Sequence, residues 1–256
     1  MIKTPLSTVI GGAFWTPGCT VIGGQQSFSQ LIKKLFSNGE QGFFYDPNDL
    51  STMYQDAVGT IPVTEVGQPV GLIRDKSGRN NHAYQTTSAS RPILRQNVTT
   101  GAYYLEFDGT DDFLQTAVSL PFPVTAVAPF DFKSKDVIKC ILSAGNSGYL
   151  RSTETTASVF SSSGGSTVAK KKVDVLLHEL TGDSVNIRSN SAAIAMRDTD
   201  SKNPYGPLQK YIGSFSDTHT TLRAAMDLYG MVVVRKLLSA SEEAELRAHF
   251  NKRMGI

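Results

Sequence analysis

An all-β fold, an antiparallel sandwich or barrel, is predicted for this 256-residue chain by three observations. Short apolar and aromatic runs recur between clusters of turn-forming residues. No helical stretch between them is long enough to carry a parallel crossover. Gly, Ser and Thr are plentiful, while charged residues make up only 19%, the balance of a turn-rich β protein. At 40% hydrophobic residues the chain can bury a sizeable core, and one main domain is the simplest organisation.

Residues 1–42 differ from the rest and are expected to form an attachment arm. Thr8-Val9-Ile10-Gly11-Gly12 recurs as Thr20-Val21-Ile22-Gly23-Gly24. Two copies are too few for a solenoid and suit two short strands or an extended arm. Phe28, Leu31, Ile32, Leu35 and Phe36 then follow at helical spacing. Ser27 or Ser29 caps this helix and Asn38-Gly39 stops it. Its apolar face is expected to pack on the sandwich or on a neighbouring subunit.

From Phe43 to the end the pattern predicts strands punctuated by turns. Phe43-Phe44-Tyr45 runs into Asp46-Pro47-Asn48-Asp49, Val70 to Ile73 into Asp75-Lys76-Ser77-Gly78, and Tyr103 to Phe107 into Asp108-Gly109. Further strands are expected over 137–144, 158–161, 172–180, 184–188, 210–214 and 227–235. The chain then closes on a helix. Ser239-Ala240-Ser241-Glu242 is a capping box, Leu246 and Phe250 share a face, Lys252 and Arg253 suit the negative end of the dipole, and Gly255 suits the exit.

Charge and cysteine content exclude several function classes. Net charge is +2, and the one dense basic run, Lys170-Lys171-Lys172, lacks the aromatic or Arg-rich company of a nucleic-acid surface. It reads as a solvated hairpin or strand end. The first twenty residues carry neither a signal-peptide core nor a membrane span, so synthesis in a cytoplasm is expected, with no nucleic-acid or membrane partner. Cys19 and Cys140 lack metal-ligand spacing and are expected as thiols.

Four stretches resemble a known family. Gly39-Glu40-Gln41-Gly42-Phe43-Phe44-Tyr45-Asp46-Pro47-Asn48-Asp49 through Asp56, and Gly67-Gln68-Pro69-Val70-Gly71-Leu72-Ile73-Arg74-Asp75-Lys76-Ser77-Gly78-Arg79-Asn80-Asn81-His82-Ala83, resemble bacteriophage tail-fibre and virion proteins. Leu105-Glu106-Phe107-Asp108-Gly109-Thr110-Asp111-Asp112-Phe113-Leu114, and Leu228-Tyr229-Gly230 through the closing helix, resemble the concanavalin A-like, laminin G-like jelly roll. Residues 121–194 match no motif of that family. The resemblance implies a concanavalin A-like sandwich over 43–256 in a virion structural protein of tail-fibre or decoration type. It further implies partners through the 1–42 arm, homo-oligomers such as trimers, and host-surface glycan as a ligand. Fold alone does not fix which of these holds.

The candidate sites follow from residue chemistry. Asp75, Arg79, Asn80 and His82 combine side chains that bind sugars, although Asp, Gly and Asn are also ordinary turn formers. Asp108, Asp111 and Asp112 bring three carboxylates near one point, as calcium requires, yet Asp-Gly is equally what a tight turn demands. Glu106 and Asp108 share a strand face, as in glycosidases of this fold, but Thr110 stands where a further acid would be needed. A non-enzymatic protein is therefore expected. The four histidines have no close metal spacing, and no nucleophile elbow or phosphate loop is present. Trp15, Tyr84, Tyr149 and Tyr205 lie near turns as candidate sugar-stacking rings, with core packing or subunit contact as the alternative.

Overall fold

The computed structural model describes residues 27–118, 120, 123–133, 139–143, 189, 211–218 and 220–256, and the strand backbones at 8–10, 13–15, 149–152, 156–161, 164–169, 173–180, 184–188 and 195–198. Two antiparallel sheets stack face to face, and two helices cover part of the outer face of the first sheet. The all-β sandwich with a C-terminal helix read from the sequence is the observed architecture.

The first strands, β1 (Thr8–Ile10) and β2 (Ala13–Trp15), pair with each other. Thus the first Thr-Val-Ile copy pairs with Ala13–Trp15, and the second copy lies outside the described residues. Helix α1 (Phe28–Leu35) starts at Ser27, whose side chain accepts from the Gln30 amide while the Gln30 side chain accepts from the Ser27 amide. Ser27, not Ser29, is the cap.

The other strands are β3 (Gly42–Tyr45), β4 (Met53–Tyr54), β5 (Leu72–Ile73), β6 (Ala83–Tyr84), β7 (Ile93–Gln96), β8 (Tyr103–Asp108), β9 (Leu114–Thr116) and β10 (Val124–Phe132). They continue through β11 (Lys139–Ser143), β12 (Tyr149–Ser152), β13 (Thr156–Ser161), β14 (Gly164–Ala169), β15 (Val173–Leu180), β16 (Ser184–Arg188) and β17 (Ala195–Asp198) to β18 (Tyr211–Ile212), β19 (Ala225–Leu228) and β20 (Met231–Val234). The first sheet runs β17-β16-β15-β10-β19-β8-β7, with β20 between β10 and β3. The second runs β14-β13-β12-β11-β18-β9-β6-β5-β4.

Strand β10 organises the first sheet and contains Pro129, a residue that removes a ladder donor. The fold absorbs it opposite a bulge. Partner numbers sum to 358 from Phe132↔Met226 to Phe130↔Leu228 but to 359 from Val127↔Val232 to Thr125↔Val234, so one extra residue is inserted at Tyr229-Gly230. At that point the Tyr229 amide donates to the Pro129 carbonyl (3.0 Å). The single strand expected over 227–235 is therefore two, β19 and β20.

Alternation assigns the two faces. Phe43, Tyr45, Leu105, Phe107, Met231 and Val233 point between the sheets, where they meet Met53, Ile73, Leu114 and Ile141. Phe44, Val232 and Val234 point outward, against Leu31 and Leu35 of α1 and Leu246 and Phe250 of α2 (Ala240–Met254). The amphipathic helix near the N-terminus packs on the sandwich. Helix α2 carries the expected capping box between Ser239 and Glu242 and ends at Gly255 in the left-handed region (φ +77°). Cys140 of β11 is buried. Cys19, the Lys170–Lys172 run, Tyr205 and His219, and the side chains of Trp15, Tyr149 and His178, lie outside the described residues. No helix among the described residues is long and apolar enough to cross a membrane.

Candidate functional site

The β5–β6 hairpin borders an open cleft. Leu72 pairs with Tyr84 and Ile73 with Ala83, and the loop from Arg74 to His82 folds around one carboxylate. Asp75 accepts from the amides of Phe44 and Ser77 at Oδ1 (2.8 Å each), and from the Ser77 hydroxyl (2.7 Å) and the Asn81 amide (3.0 Å) at Oδ2. Both oxygens are thus occupied by four donors. The Asp75 amide donates to Nδ1 of His82 (3.1 Å), and Asn81 donates to the Gly42 carbonyl (2.6 Å), tying the loop to β3. Asn80 adopts φ +60°, a left-handed conformation Asn tolerates better than most residues.

An open cleft of about 670 Å³ lies beside this loop. Leu72, Ala117 and Val118 give it apolar surface, and Tyr84 contributes a half-buried ring. Arg74, Asn80 and His82 supply its polar edge. Of the four residues singled out in the sequence, Asp75, Asn80 and His82 line the cleft. Arg79 turns away: its guanidinium donates to the carbonyls of Glu40 (2.8 Å) and Phe36 and so secures the exit of α1. Arg74, which sequence reasoning did not select, lies on the cleft with its guanidinium 4.5 Å from the Tyr54 ring centroid.

The three aspartates after β8 do converge, with one oxygen of each within 4.8 Å of the others. Much of their capacity is used locally. Asp108 Oδ1 accepts from the amides of Thr110 (2.7 Å), Asp111 (3.3 Å) and Asp112 (3.4 Å), Asp112 accepts from the Asp108 amide (3.0 Å), and Asp111 accepts from the Ser90 hydroxyl (2.9 Å). That leaves about three open carboxylate oxygens, against the six to eight calcium takes. Buried Arg223 supplies positive charge alongside and stacks on Phe113 (4.2 Å). The arrangement fits a self-braced turn and does not fit a calcium site without ligands from elsewhere.

Burial, opposed by the hydrogen bond from the Asp108 amide and reinforced by the charges of Asp108 and Asp111, pushes Asp112 up to about 7. The folded state thus holds this proton where the unfolded chain would release it. Its stabilising effect is complete below the ordinary Asp range and is lost as pH rises through about 7. Asp112→Asn, which keeps an acceptor for the Asp108 amide, is expected to melt above the wild type at pH 8.5, by roughly 2–4 °C for each kcal/mol recovered. At pH 5 that advantage should vanish. Calcium should leave both melts unchanged; a calcium-dependent rise confined to the wild type would establish a metal site.

A second polar cluster joins residues distant in sequence. Glu106, Asp227 and Asp131 stand in cross-strand register on the outer face of β8, β19 and β10. Lys133 bridges Asp131 and Asp227 (2.9 Å to Asp227), and Glu106 pairs with Arg95 (2.7 Å). Burial raises Asp227, with Lys133 opposing and Asp131 and Glu106 adding to it. Glu106 is therefore an ion-paired rim residue, and Asp108, its same-face neighbour, serves the turn.

No protein-family model matches the chain, and no curated protein matches it. Solved structures match in fold. An arabinofuranosidase complexed with arabinofuranosyl-α-1,2-xylobiose aligns at 11% identity and TM-score 0.56, over 87% of this chain and 65% of that one. Trypanosoma rangeli sialidase in complex with 2,3-difluoro-KDN aligns at 11% identity and TM-score 0.52, over 86% and 38%. The Ruminococcus gnavus IT-sialidase CBM40 bound to α2,3 sialyllactose aligns at 14% identity and TM-score 0.41, over 50% and 83%. The chain spans less than two thirds of the length of the first two, and at such identities the likeness is one of fold.

Proposed function

We propose that this protein is a virion structural protein, of tail-fibre or decoration type, whose lectin-like sandwich holds host-surface glycan without cleaving it. The observation that carries the glycan reading is the cleft beside the β5–β6 hairpin, which sets an aromatic ring and apolar surface against a few convergent polar groups. That is the chemistry of sugar recognition: ring faces stack and hydroxyls bond. The fold neighbours solved with sugars add support. The virion setting rests on the resemblance of residues 39–83 to phage proteins, with residues 1–42 as the arm that joins the particle and a homo-oligomer as the displayed form. The non-catalytic reading is favoured by Glu106, held by Arg95, and by Asp108, spent on three amides.

The test uses purified wild type and Ala117→Trp, which fills the cleft from an exposed position. On immobilised bacterial surface polysaccharides the wild type should bind saturably and Ala117→Trp at least tenfold more weakly. Neither the wild type nor Glu106→Gln should release reducing sugar; turnover lost in Glu106→Gln would replace this reading with a hydrolase. Gold-labelled antibody to residues 43–256 should decorate intact phage particles, and particles without label would sink the virion assignment.

A further inference from the structure

We infer that the cleft selects carboxylate-bearing sugars, with Arg74 as the anchor of the carboxylate; the inference rests on the glycan-binding reading of the same cleft.

Neighbouring cations are already committed. Lys76 bonds Asp46 (2.9 Å) and Asp49 (2.8 Å), Arg79 the carbonyls beyond α1, and Arg91 the carbonyls of Gln85 and Thr86 (3.1 Å each). Arg74 differs. It is exposed, its guanidinium makes no ion pair or hydrogen bond among the described residues, and the Tyr54 ring steadies it. A guanidinium placed over an aromatic ring, with no hydrogen-bond partner, keeps its planar fork of donors available, and that fork matches a carboxylate in two-point contact.

The rest of the polar edge is also donor-rich. Because His82 accepts the Asp75 amide at Nδ1, a neutral ring carries its proton on Nε2 and can donate from there. Asn80 adds an exposed amide. Asp75, the one carboxylate on the cleft wall, has both oxygens filled by four donors, so it offers little to accept from sugar hydroxyls. With donors in excess of free acceptors, the Asn80 amide oxygen among the few, the edge fits a ligand that brings its own acceptors and its own negative charge. A uronic or sialic acid brings both on one planar group, while the Tyr84 ring and Leu72 face the sugar body.

The experiment measures binding of the full chain to polygalacturonate, hyaluronan and polysialic acid. Each is paired with its carboxyl-reduced form, in which the acid has become a neutral hydroxymethyl group, and dextran and dextran sulfate are run beside them. At least one acidic polymer should bind saturably and lose affinity on reduction. Arg74→Gln should weaken it roughly ten- to hundredfold, the scale of a charge-assisted contact. Arg95→Gln, which removes the same charge from another face, should change it less than twofold, and unchanged melting temperatures would show both variants folded. Equal binding of acidic and reduced forms, or an unaffected Arg74→Gln, overturns the carboxylate assignment while a cleft blocked by Ala117→Trp keeps the glycan reading. Equal retention of dextran sulfate overturns it in favour of a general anion site. Binding to none of these polymers or to any neutral polysaccharide overturns both.

Discussion

Replacing Asp46 with asparagine is expected to destabilise the protein by about 3 kcal/mol, the low end of the cost of breaking a buried ion pair, or roughly 6–12 °C of melting temperature. Asp46 directly follows β3, is only 5% exposed, and receives Arg253 of α2 at one oxygen (2.7 Å) and Lys76 of the cleft loop at the other (2.9 Å). One carboxylate thus joins the closing helix, the sandwich and the loop that shapes the cleft. Asparagine keeps the size but leaves Arg253 without its counter-charge and Lys76 with Asp49 in place of two carboxylates. Burial alone would raise the Asp46 carboxyl, and Arg253 with Lys76 outweighs that and holds it below the ordinary range. Its contribution is therefore present above the unfolded-state value and is lost as pH falls through the lowered one. Urea unfolding of wild type, Asp46→Asn and Asp49→Asn checks the claim. Asp49 binds the same Lys76 from a more exposed position, so its loss should cost about 1 kcal/mol or less. Equal effects of the two substitutions would remove the ascribed role of burial.

His249 adds a second acid-sensitive element to this helix layer. Its ring stacks on Phe28 of α1 (3.4 Å between centroids), and burial, reinforced by Arg253 and Lys252, pushes it down to about 4. The unfolded chain binds this proton more readily, so stability present above about pH 6.5 is lost as pH falls toward 4.

Much of this architecture was legible in the sequence because its signals are local. The apolar spacing of the first helix with a serine cap at Ser27 or Ser29, the capping box at Ser239, and the runs at Phe43–Tyr45 and Tyr103–Phe107 declare themselves within a few residues. Strand β10 did not, for two physical reasons. Its residues are buried on both faces, so Ala126 to Phe130 reads as an apolar run without alternation, and Pro129 argues against a central strand until the bulge at Tyr229-Gly230 is known. The acidic row of Glu106, Asp227 and Asp131 exists only through strand register. Asp75 and Arg79 were conspicuous for the right residue types, yet their donors and acceptors are consumed by the loop itself. Arg74 was inconspicuous because what distinguishes it, Tyr54 beneath and no carboxylate paired with it among the described residues, is created by folding.

Gly42→Ala should be at least as damaging as the loss of Asp46, at about 3 kcal/mol or more, among the larger effects of single substitutions. Gly42 opens β3 at φ +147° and pairs with Val234 of β20. An added Cβ would sit 2.0 Å from the Val233 carbonyl oxygen and 2.9 Å from Val233 C and Val234 Cα. All three are backbone atoms of a strand buried on both faces, so no rotamer change relieves the clash. β3 would have to withdraw, disturbing its ladder with β20 and the bond from Asn81 to the Gly42 carbonyl. That bond fixes one end of the cleft loop, so glycan affinity should fall with stability. Gly39→Ala isolates the steric part: Gly39 also has positive φ (+84°), but nothing lies within 4 Å of its added Cβ. Its cost should be about 1–2 kcal/mol from the backbone conformation alone, with affinity retained. Chemical denaturation of the two variants beside wild type decides the matter. A Gly42→Ala protein as stable as Gly39→Ala would mean that β3 can separate from β20 at little cost, and that the cleft loop is anchored by Asp75 and the Phe44 amide instead.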